Sequence, residues 1–177
     1  STNLASLYAM TGKKVLLIDF DLRKPNIHTK LGLENGSGMS NYLIGDCELK
    51  DILVKDTPFG FDFMRSGTIP PNPGELVHTD KVAEMMADLR QKYDFIIMDT
   101  SPIGLVPDAY ALIEQSDMCL FVIRCMQTNK SFCKQTLEQM AEVIDSPEKV
   151  QLILSDIPTT GRHSYGSGYG YGYGGYG

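Results

Sequence analysis

Closely spaced cysteine and histidine pairs are missing from this 177-residue sequence, which has four cysteines, three histidines and no tryptophan. Zinc sites are built from such pairs, so their absence argues against a structural metal knuckle. We therefore expect the cysteines to be reduced and mostly buried thiols, and we assign no role to the histidines. The residues concerned are Cys47, Cys119, Cys125, Cys133, His28, His78 and His163.

Long apolar runs and basic clusters are also absent. No stretch approaches the roughly 18 apolar residues that a membrane-spanning helix requires, and no charged leader precedes an apolar segment. Because the sequence also lacks an initiating Met, we expect a soluble piece of a longer protein. A formal net charge of -6 without a stripe of Lys and Arg argues against binding to nucleic acid.

Neither of the two common glycine-rich nucleotide motifs occurs in the sequence. A phosphate-binding loop has the pattern G-x-x-x-x-G-K-[ST], but Gly12-Lys13-Lys14 lacks the first glycine and the hydroxyl residue. It also follows a predicted helix, whereas a phosphate-binding loop precedes one. If the loop exists, we expect it just before Ser1. A Rossmann dehydrogenase is disfavoured because its G-x-G-x-x-G motif is missing as well.

The sequence does contain short apolar segments that alternate with segments of helical periodicity. This alternation is typical of a mostly parallel central sheet flanked by helices, so we predict a single α/β domain. With 42% hydrophobic residues the chain can bury a core of that size. The predicted strands are Val15–Ile18, Phe95–Met98, Cys119–Ile123 and Val150–Leu154, and the predicted helices are Ser1–Thr11, Asp80–Lys92 and Lys130–Ile144.

A proline-rich loop, Ser66–Leu76, ends in a helix-start signal. Asn72 is the expected N-cap, Pro73 the first helical residue and Glu75 the capping-box residue. Asp108 is the expected start of another helix.

Carboxylates follow two of the predicted strands. Asp19 and Asp21 end the strand that starts at Val15, and Asp99 ends the strand that starts at Phe95. In open α/β sheets, ligands bind at the carboxyl ends of the strands. Mg²⁺ is often held there by one or two carboxylates together with substrate phosphates and water, so the two strand ends together favour nucleotide chemistry. Each carboxylate taken alone could equally cap the turn after its strand.

The last part of the chain, from Ser164 onward, repeats Tyr and Gly and has no charged or aliphatic residue. Such a composition cannot bury enough apolar surface to become ordered. We therefore divide the chain into a domain, residues 1–163, and a disordered tail, residues 164–177. Taken alone, the tail is more typical of an adhesive linker than of an enzyme substrate. Arg23 and Lys24 could contact a phosphate or this tail, or they could be solvated, and both alternatives remain open.

Taken together, several segments are similar to those of the bacterial tyrosine kinase (BY-kinase) family, and the resemblance covers essentially the whole chain. The segments are Ser1–Ala5, Gly12–Val15, Asp19–Pro25, Ser66–Leu76, Asp99–Pro102 and the Tyr-rich end. The family has a P-loop NTPase fold with Walker A, A′ and B motifs. Because partition and division-site ATPases share the A′ and B motifs, the proline loop and the tyrosine tail make the distinction.

The resemblance implies that Asp19 and Asp21 are the catalytic carboxylates of the A′ motif, with Asp19 accepting the proton of the attacking tyrosine. It also implies that Asp21 and Asp99 hold Mg²⁺ directly or through water. Arg23 and Ser155 are the implied contacts of ATP, with Ser155 near the adenine, where relatives often place Asn. The Walker A loop, its strand and the upstream helix are missing from the sequence, so we expect the chain alone to bind ATP poorly and to be inactive.

The resemblance implies a substrate and a cellular setting as well. The γ-phosphoryl group of ATP would pass to tail tyrosines, in trans between copies of a homo-oligomer, and a Gly-rich tail of this length spans about 20 Å. The implied partners are a membrane-anchored activator or fused transmembrane domain and a protein-tyrosine phosphatase, at the cytoplasmic face of the plasma membrane. The implied role is control of exopolysaccharide or capsule synthesis and export. The implied phosphoacceptors are Tyr165, Tyr169, Tyr171, Tyr173 and Tyr176.

Two other functions remain open at this point. One is an ATP-driven association switch of the partition or division-site kind, in which no protein is phosphorylated. The other is a non-catalytic interaction module that displays an adhesive Gly/Tyr tail.

Overall fold

The computed structural model describes residues 1–104, 106, 108–144 and 146–158. Over these residues the chain forms eight α-helices, six strands and a 3-10 helix at Pro147–Lys149. The strands are β1 (Val15–Asp19), β2 (Leu53–Val54), β3 (Asp62–Met64), β4 (Phe95–Asp99), β5 (Cys119–Arg124) and β6 (Val150–Ser155). The helices are α1 (Thr2–Met10), α2 (Ile27–Lys30), α3 (Met39–Ile44), α4 (Leu49–Ile52), α5 (Pro73–Val77), α6 (Asp80–Leu89), α7 (Asp108–Glu114) and α8 (Lys130–Val143).

Four strands form the main sheet, in the spatial order β2-β3-β1-β4. β1 is parallel to both β3 and β4, and only β2 runs antiparallel to its neighbour. The register places Ile18 beside Met64 and Asp19 beside Asp99. The predicted α/β fold with a mostly parallel sheet is therefore confirmed, and the carboxyl ends of β1 and β4 meet at one edge.

β1 is buried over its whole length. Leu16 and Ile18 pack in an apolar cluster with side chains of α6, whereas Val15 and Leu17 pack on the other face with side chains of α1 and α2. A parallel strand that is covered on both faces needs apolar residues at every position. This requirement explains why β1 was visible in the sequence as an unbroken apolar run.

β5 and β6 form a separate parallel pair. Both strands were predicted from the sequence, each one residue shorter, but as members of a single central sheet. Within the described ranges, β4 and β5 each have one edge without a strand partner. Several apolar side chains of the pair are open to solvent, among them Val122, which is 53% exposed, and Leu152, which is 57% exposed.

Two short elements beside β1 were not predicted. β3 has three residues and α3 has six, which is too short for a reliable periodic pattern. The backbone N–H of Met39 donates to the carbonyl oxygen of Arg65 at 2.8 Å and so fastens the start of α3 to the end of β3. Gly67, with a φ of 86°, lies against Gly38 so closely that a Cβ on either residue would collide with the other's backbone.

Two details of the prediction are wrong. The four cysteines are free, as expected, but they are half-buried instead of mostly buried. α5 begins at Pro73 after Asn72, as predicted, yet the Asn72 side chain caps no backbone N–H, because its ψ of 61° departs from the extended N-cap conformation. The Asn72 amide instead donates to Oε2 of Glu75 at 2.5 Å.

Within the described ranges, no helix has both the length and the apolar character needed to cross a bilayer. The tail assigned to residues 164–177 lies outside the described residues, as does His163.

Candidate active site

The carboxyl ends of β1 and β4 bring two of the predicted site residues together. Asp19 and Asp99 are register partners, and the N–H of Phe20 donates to the carbonyl oxygen of Asp99 at 2.8 Å. The two acidic strand ends therefore lie side by side, as a shared cation site would require.

Asp19 is fully buried, with 0% of its surface exposed. Its Oδ1 accepts a hydrogen bond from the N–H of Asp21 at 3.2 Å, whereas its Oδ2 has no partner within hydrogen-bonding geometry among the described residues. Burial, helped by the negative charges of Asp99 and Asp21, raises the pKa of Asp19 from 3.8 to about 6, although hydrogen bonds from the amides of Asp21 and Ile27 oppose the shift. A carboxylate with this pKa and a free oxygen can accept a proton near neutral pH.

Asp21 is held in one orientation by three donors to the same oxygen. Its Oδ1 accepts from Ser101 Oγ at 2.6 Å, from the N–H of Lys24 at 3.0 Å and from the N–H of Arg23 at 3.2 Å. Ser101 is buried, with 7% exposed, and follows Asp99 by two residues. Because Oδ1 is fully occupied, Oδ2 of Asp21 is the atom left for a ligand. Ser101 was not predicted as a site residue, although it lies in a segment that the resemblance included.

Arg23 forms a two-point ion pair with Asp108 at the start of α7. Nε of Arg23 lies 2.8 Å from Oδ2 of Asp108, and Nη2 lies 3.1 Å from Oδ1. A Cβ on Gly74 would lie 2.9 Å from Oδ1 of Asp108, so α5 packs closely against the pair. Arg23 is therefore not a freely solvated cation, and its guanidinium is already committed to a carboxylate. Asp108 starts a helix, as predicted, but its carboxylate is buried in this pair.

Ser155 lies in the other sheet. It ends β6, where it pairs in register with Arg124 of β5, and its carbonyl oxygen accepts from the N–H of Cys125 at 2.8 Å. Arg124 is in turn paired with Asp156, with Nη2 2.6 Å from Oδ2. The predicted tyrosine acceptors, Tyr165, Tyr169, Tyr171, Tyr173 and Tyr176, lie outside the described residues.

The site residues can be compared with the ligands that a divalent cation requires. The described part of the chain contains no group of three or more His, Cys, Asp or Glu side chains that could hold a metal ion. Mg²⁺ usually takes one or two carboxylates and completes its shell with phosphates and water. The unengaged Oδ2 of Asp21 and the neighbouring Asp99 suit such a partial ligand set, so the residues present fit Mg²⁺ bound with a phosphate.

Comparison with known proteins identifies several relatives. The AAA domain family matches residues 1–153. Tyrosine-protein kinase YwqD of Bacillus subtilis is 38% identical over 141 residues, which are 80% of this chain and 60% of YwqD. The VpsO kinase domain is similar with a TM-score of 0.80 and 32% identity, over 89% of this chain and 77% of that domain. The kinase domain of Escherichia coli tyrosine kinase ETK has a TM-score of 0.80 and 28% identity, over 97% of this chain and 65% of that one.

The chain covers only part of many relatives. It spans 22% of the length of one curated relative and 59% of another. The septum site-determining protein MinD of Pyrococcus horikoshii, complexed with Mg-ADP, aligns with a TM-score of 0.69 and 24% identity over 86% of this chain and 62% of that one. At this identity the likeness shows the fold alone, which is thus shared by kinases and division proteins.

Proposed function

The chain belongs to the bacterial tyrosine kinase family, and from that premise we propose that it carries most of the catalytic domain of an ATP-dependent protein-tyrosine kinase. The observation that carries the proposal is the state of Asp19. This carboxyl is fully buried, has a pKa raised to about 6 and keeps one oxygen without a partner, next to two further carboxylates. These are the properties of a general base that acts on a hydroxyl group.

In the proposed reaction, the tyrosine hydroxyl gives its proton to Oδ2 of Asp19. Its phenolic oxygen forms a bond to the γ-phosphorus of ATP, the bond from that phosphorus to the β–γ bridging oxygen breaks, and ADP leaves. Oδ2 of Asp21 and the Asp99 carboxylate would hold Mg²⁺, which neutralises charge on the phosphates when bound. Phosphoryl transfer depends mainly on positioning and charge stabilisation, which suits carboxylates fixed at strand ends.

Arg23 contributes through Asp108 in this proposal. The ion pair ties the turn that carries Asp21 to the start of α7, and Gly74 lets α5 approach both. We propose that the pair keeps the Asp21 turn in place while the nucleotide enters and leaves. Direct contact of Arg23 with the nucleotide would require the guanidinium to leave Asp108 or to share it.

The proposed activity needs a phosphate-binding loop, which the 177 residues do not contain. In parallel α/β sheets such a loop connects the end of a strand to the start of a helix. The unpartnered edges of β4 and β5 in the described part of the chain support the proposal that a further parallel strand lies between them. A strand at that position would place the phosphate-binding loop between Asp99 on one side and Ser155, the proposed adenine contact, on the other.

We propose that the acceptors are tyrosines of residues 164–177, outside the folded domain of residues 1–163, and that they are phosphorylated in trans within a homo-oligomer. Alternating Tyr and Gly places an acceptor at every second residue from Tyr169 to Tyr173, without charged neighbours. The wider setting that we propose is exopolysaccharide or capsule export at the inner face of the plasma membrane. A membrane-bound or fused activator and a phosphatase would complete it.

The test uses the complete gene product that contains this chain, incubated with ATP labelled at the γ-position. We expect label on the tail tyrosines, and none in a matched variant with Phe at all five acceptor positions. The phosphorylated residues are identified by mass spectrometry. Hydrolysis of ATP without phosphotyrosine would contradict the kinase assignment and favour the association switch, which the fold shared with MinD makes the second candidate. Absence of both activities would favour the interaction module.

A further inference from the structure

Arg65 is placed beside the proposed base by the register of the main sheet. β3 ends at Met64, which pairs with Ile18 of β1, so the next residue of each strand, Arg65 and Asp19, are neighbours at the carboxyl edge. β3 and β4 lie on opposite sides of β1. Arg65 is therefore separated by β1 from Asp99 and from the proposed nucleotide position.

The side chains of Arg65 and Asp19 leave the sheet on the same face. Neighbouring residues of parallel strands point the same way, and side chains alternate along each strand. Ile18 and Met64 belong to one apolar cluster, and the preceding pair, Leu17 and Phe63, belongs to the other. The following pair, Asp19 and Arg65, thus points toward the second cluster, on the side of α2.

Arg65 differs from the other arginines that the structure describes. The described ranges contain four arginines, and the three others form ion pairs, Arg23 with Asp108, Arg90 with Asp117 and Arg124 with Asp156. Arg65 has no such pair within the described ranges, and its Nε is buried without a hydrogen-bond partner. A guanidinium Nε–H shielded from water and without an acceptor is costly, and the group is shaped to bind an anion with two parallel hydrogen bonds.

The backbone around Arg65 is well fixed. Its carbonyl oxygen accepts from the N–H of Met39 at 2.8 Å, and the loop that follows it is locked by the close approach of Gly38 and Gly67. Gly36 passes next to the guanidinium, since a Cβ built there would lie 3.9 Å from Nη1 of Arg65. The guanidinium is thus presented at a defined place on the sheet edge.

We propose that Arg65 binds the phosphate of a phosphotyrosine in the acceptor polypeptide, next to the tyrosine that Asp19 deprotonates. This rests on the proposed kinase function and adds a binding site on the acceptor side. The side chains of the unmodified tail carry no charge, so the first phosphate added to the tail supplies an anionic partner for Arg65. Later phosphorylations of the same tail are then favoured over the first.

The spacing of the tail agrees with this geometry. In an extended peptide, residues two apart point to the same side and their Cα atoms are about 6 to 7 Å apart. Tyr169, Tyr171 and Tyr173 have this spacing. Neighbouring strands are about 4.8 Å apart, so an acceptor at Asp19 and a phosphate two residues away at the long Arg65 side chain are compatible.

The experiment measures phosphorylation of synthetic peptides with the sequence of residues 164–177 by the complete gene product. Each peptide keeps Tyr171 as its single acceptor, with Phe at the other tyrosines, and carries either phosphotyrosine or Phe at position 173. We expect the phosphorylated peptide to have a KM about tenfold lower, the size of effect that a charge-assisted pair of hydrogen bonds produces. A third peptide, with phosphotyrosine in place of Gly172, presents the phosphate on the opposite side and should show little gain.

Variants assign the effect to one residue. Arg65→Gln should abolish the preference for the phosphorylated peptide, and Arg65→Lys, which keeps the charge without the fork, should retain part of it. Arg90→Gln is the matched control, because Arg90 is an arginine paired with Asp117 on the outer surface. Direct binding of the two peptides, measured by fluorescence anisotropy without ATP, should show the same order of affinities.

Three results separate the possible failures. Equal KM values for both peptides with the unmodified protein would overturn the Arg65 assignment while leaving the kinase intact. A large fall in kcat on the peptide without phosphotyrosine in both Arg65 variants would mean that Arg65 acts on the transferred phosphoryl group instead, which also overturns the assignment. Phosphorylation of neither peptide by the unmodified protein would contradict the proposed kinase function itself.

Discussion

The four-stranded sheet and the β5–β6 pair differ in how far their apolar side chains are covered. Leu17 in β1 is 0% exposed, whereas Leu152 in β6 is 57% exposed, although both belong to apolar parallel strands. The buried sheet carries Asp19, whose raised pKa depends on the exclusion of water. The open pair carries Ser155, the proposed adenine contact. We thus assign proton transfer to the sheet that is already packed, and recognition of the adenine ring to the strand pair that is open to solvent.

The largest effect that would test this comparison is loss of the proposed base. Asp19→Asn removes the proton acceptor and leaves its shape, so tail phosphorylation in the complete gene product should fall by about 10² to 10⁴-fold. Quantitative phosphotyrosine mass spectrometry measures the loss. Ser155→Ala in the open pair should change the KM for ATP and affect the phosphorylation rate at saturating ATP much less.

The fold must persist for this result to be informative. Circular dichroism of the Asp19→Asn variant should match that of the unmodified protein, because an Asn at this buried position needs no charge solvation. Phosphotyrosine at the level of the unmodified protein would remove Asp19 from the role of base and leave the buried sheet with a structural role.

A matched pair of leucine substitutions measures the difference in packing directly. Leu17→Ala should lower the free energy of unfolding by about 2 to 5 kcal/mol, since it opens a cavity in a strand covered on both faces. Leu152→Ala should cost about 1 kcal/mol or less, because most of that side chain is already in water. Urea denaturation of both variants gives the two values. Equal losses would show that β6 is covered in solution and would end the contrast between the two sheets.

Much of the fold could be predicted because β1 is buried over its whole length and the half-buried β4 is apolar up to its last residue. Unbroken apolar runs revealed β1 and β4, and the rule that carboxyl ends of parallel strands meet brought Asp19 and Asp99 together. β3 was missed because three residues cannot show a period. The order of the strands could not be predicted either, since the sequence of a strand does not state which neighbour it pairs with.

Site residues that follow a local sequence pattern could be predicted, whereas contacts between residues far apart in the chain could not. Asp19 and Asp99 are visible because each ends an apolar strand. The partner of Arg23 could not be found, because Asp108 lies 85 residues away and no periodicity links the two. The Ser101 hydroxyl is similar, since its donation to Asp21 depends on the approach of two loops from different strands.

Stability as a function of pH provides a third test of the buried sheet. The folded protein holds the Asp19 proton up to a pKa of about 6, above the ordinary value of 3.8, so this group stabilises the fold at low pH and the contribution is lost as pH rises through 6. Asn cannot ionise, and Asp19→Asn should therefore stabilise the protein by about 3 kcal/mol at about pH 7.5 and by much less at about pH 4. Urea denaturation at the two pH values measures the difference, with Asp117→Asn at an exposed carboxylate as the control. A stability gain that does not change with pH would show that Asp19 is not the buried titrating group.

The smallest effect concerns the orientation of Asp21 within the packed sheet edge. Ser101→Ala removes one of the three donors to Oδ1 and leaves the two backbone amides, so Oδ2 would be held less firmly for the cation. Loss of a hydrogen bond to a metal-binding carboxylate costs about 10- to 100-fold in affinity, and the remaining amides place this case near tenfold. Mn²⁺ binding in the presence of ADP, followed by electron paramagnetic resonance, measures the change, and Ser101→Thr, which keeps the hydroxyl, should restore most of the affinity. If Ser101→Ala binds Mn²⁺ as well as the unmodified protein, the amides alone orient Asp21, and the rigidity of the site comes from the turn after β1 without help from the segment that follows β4.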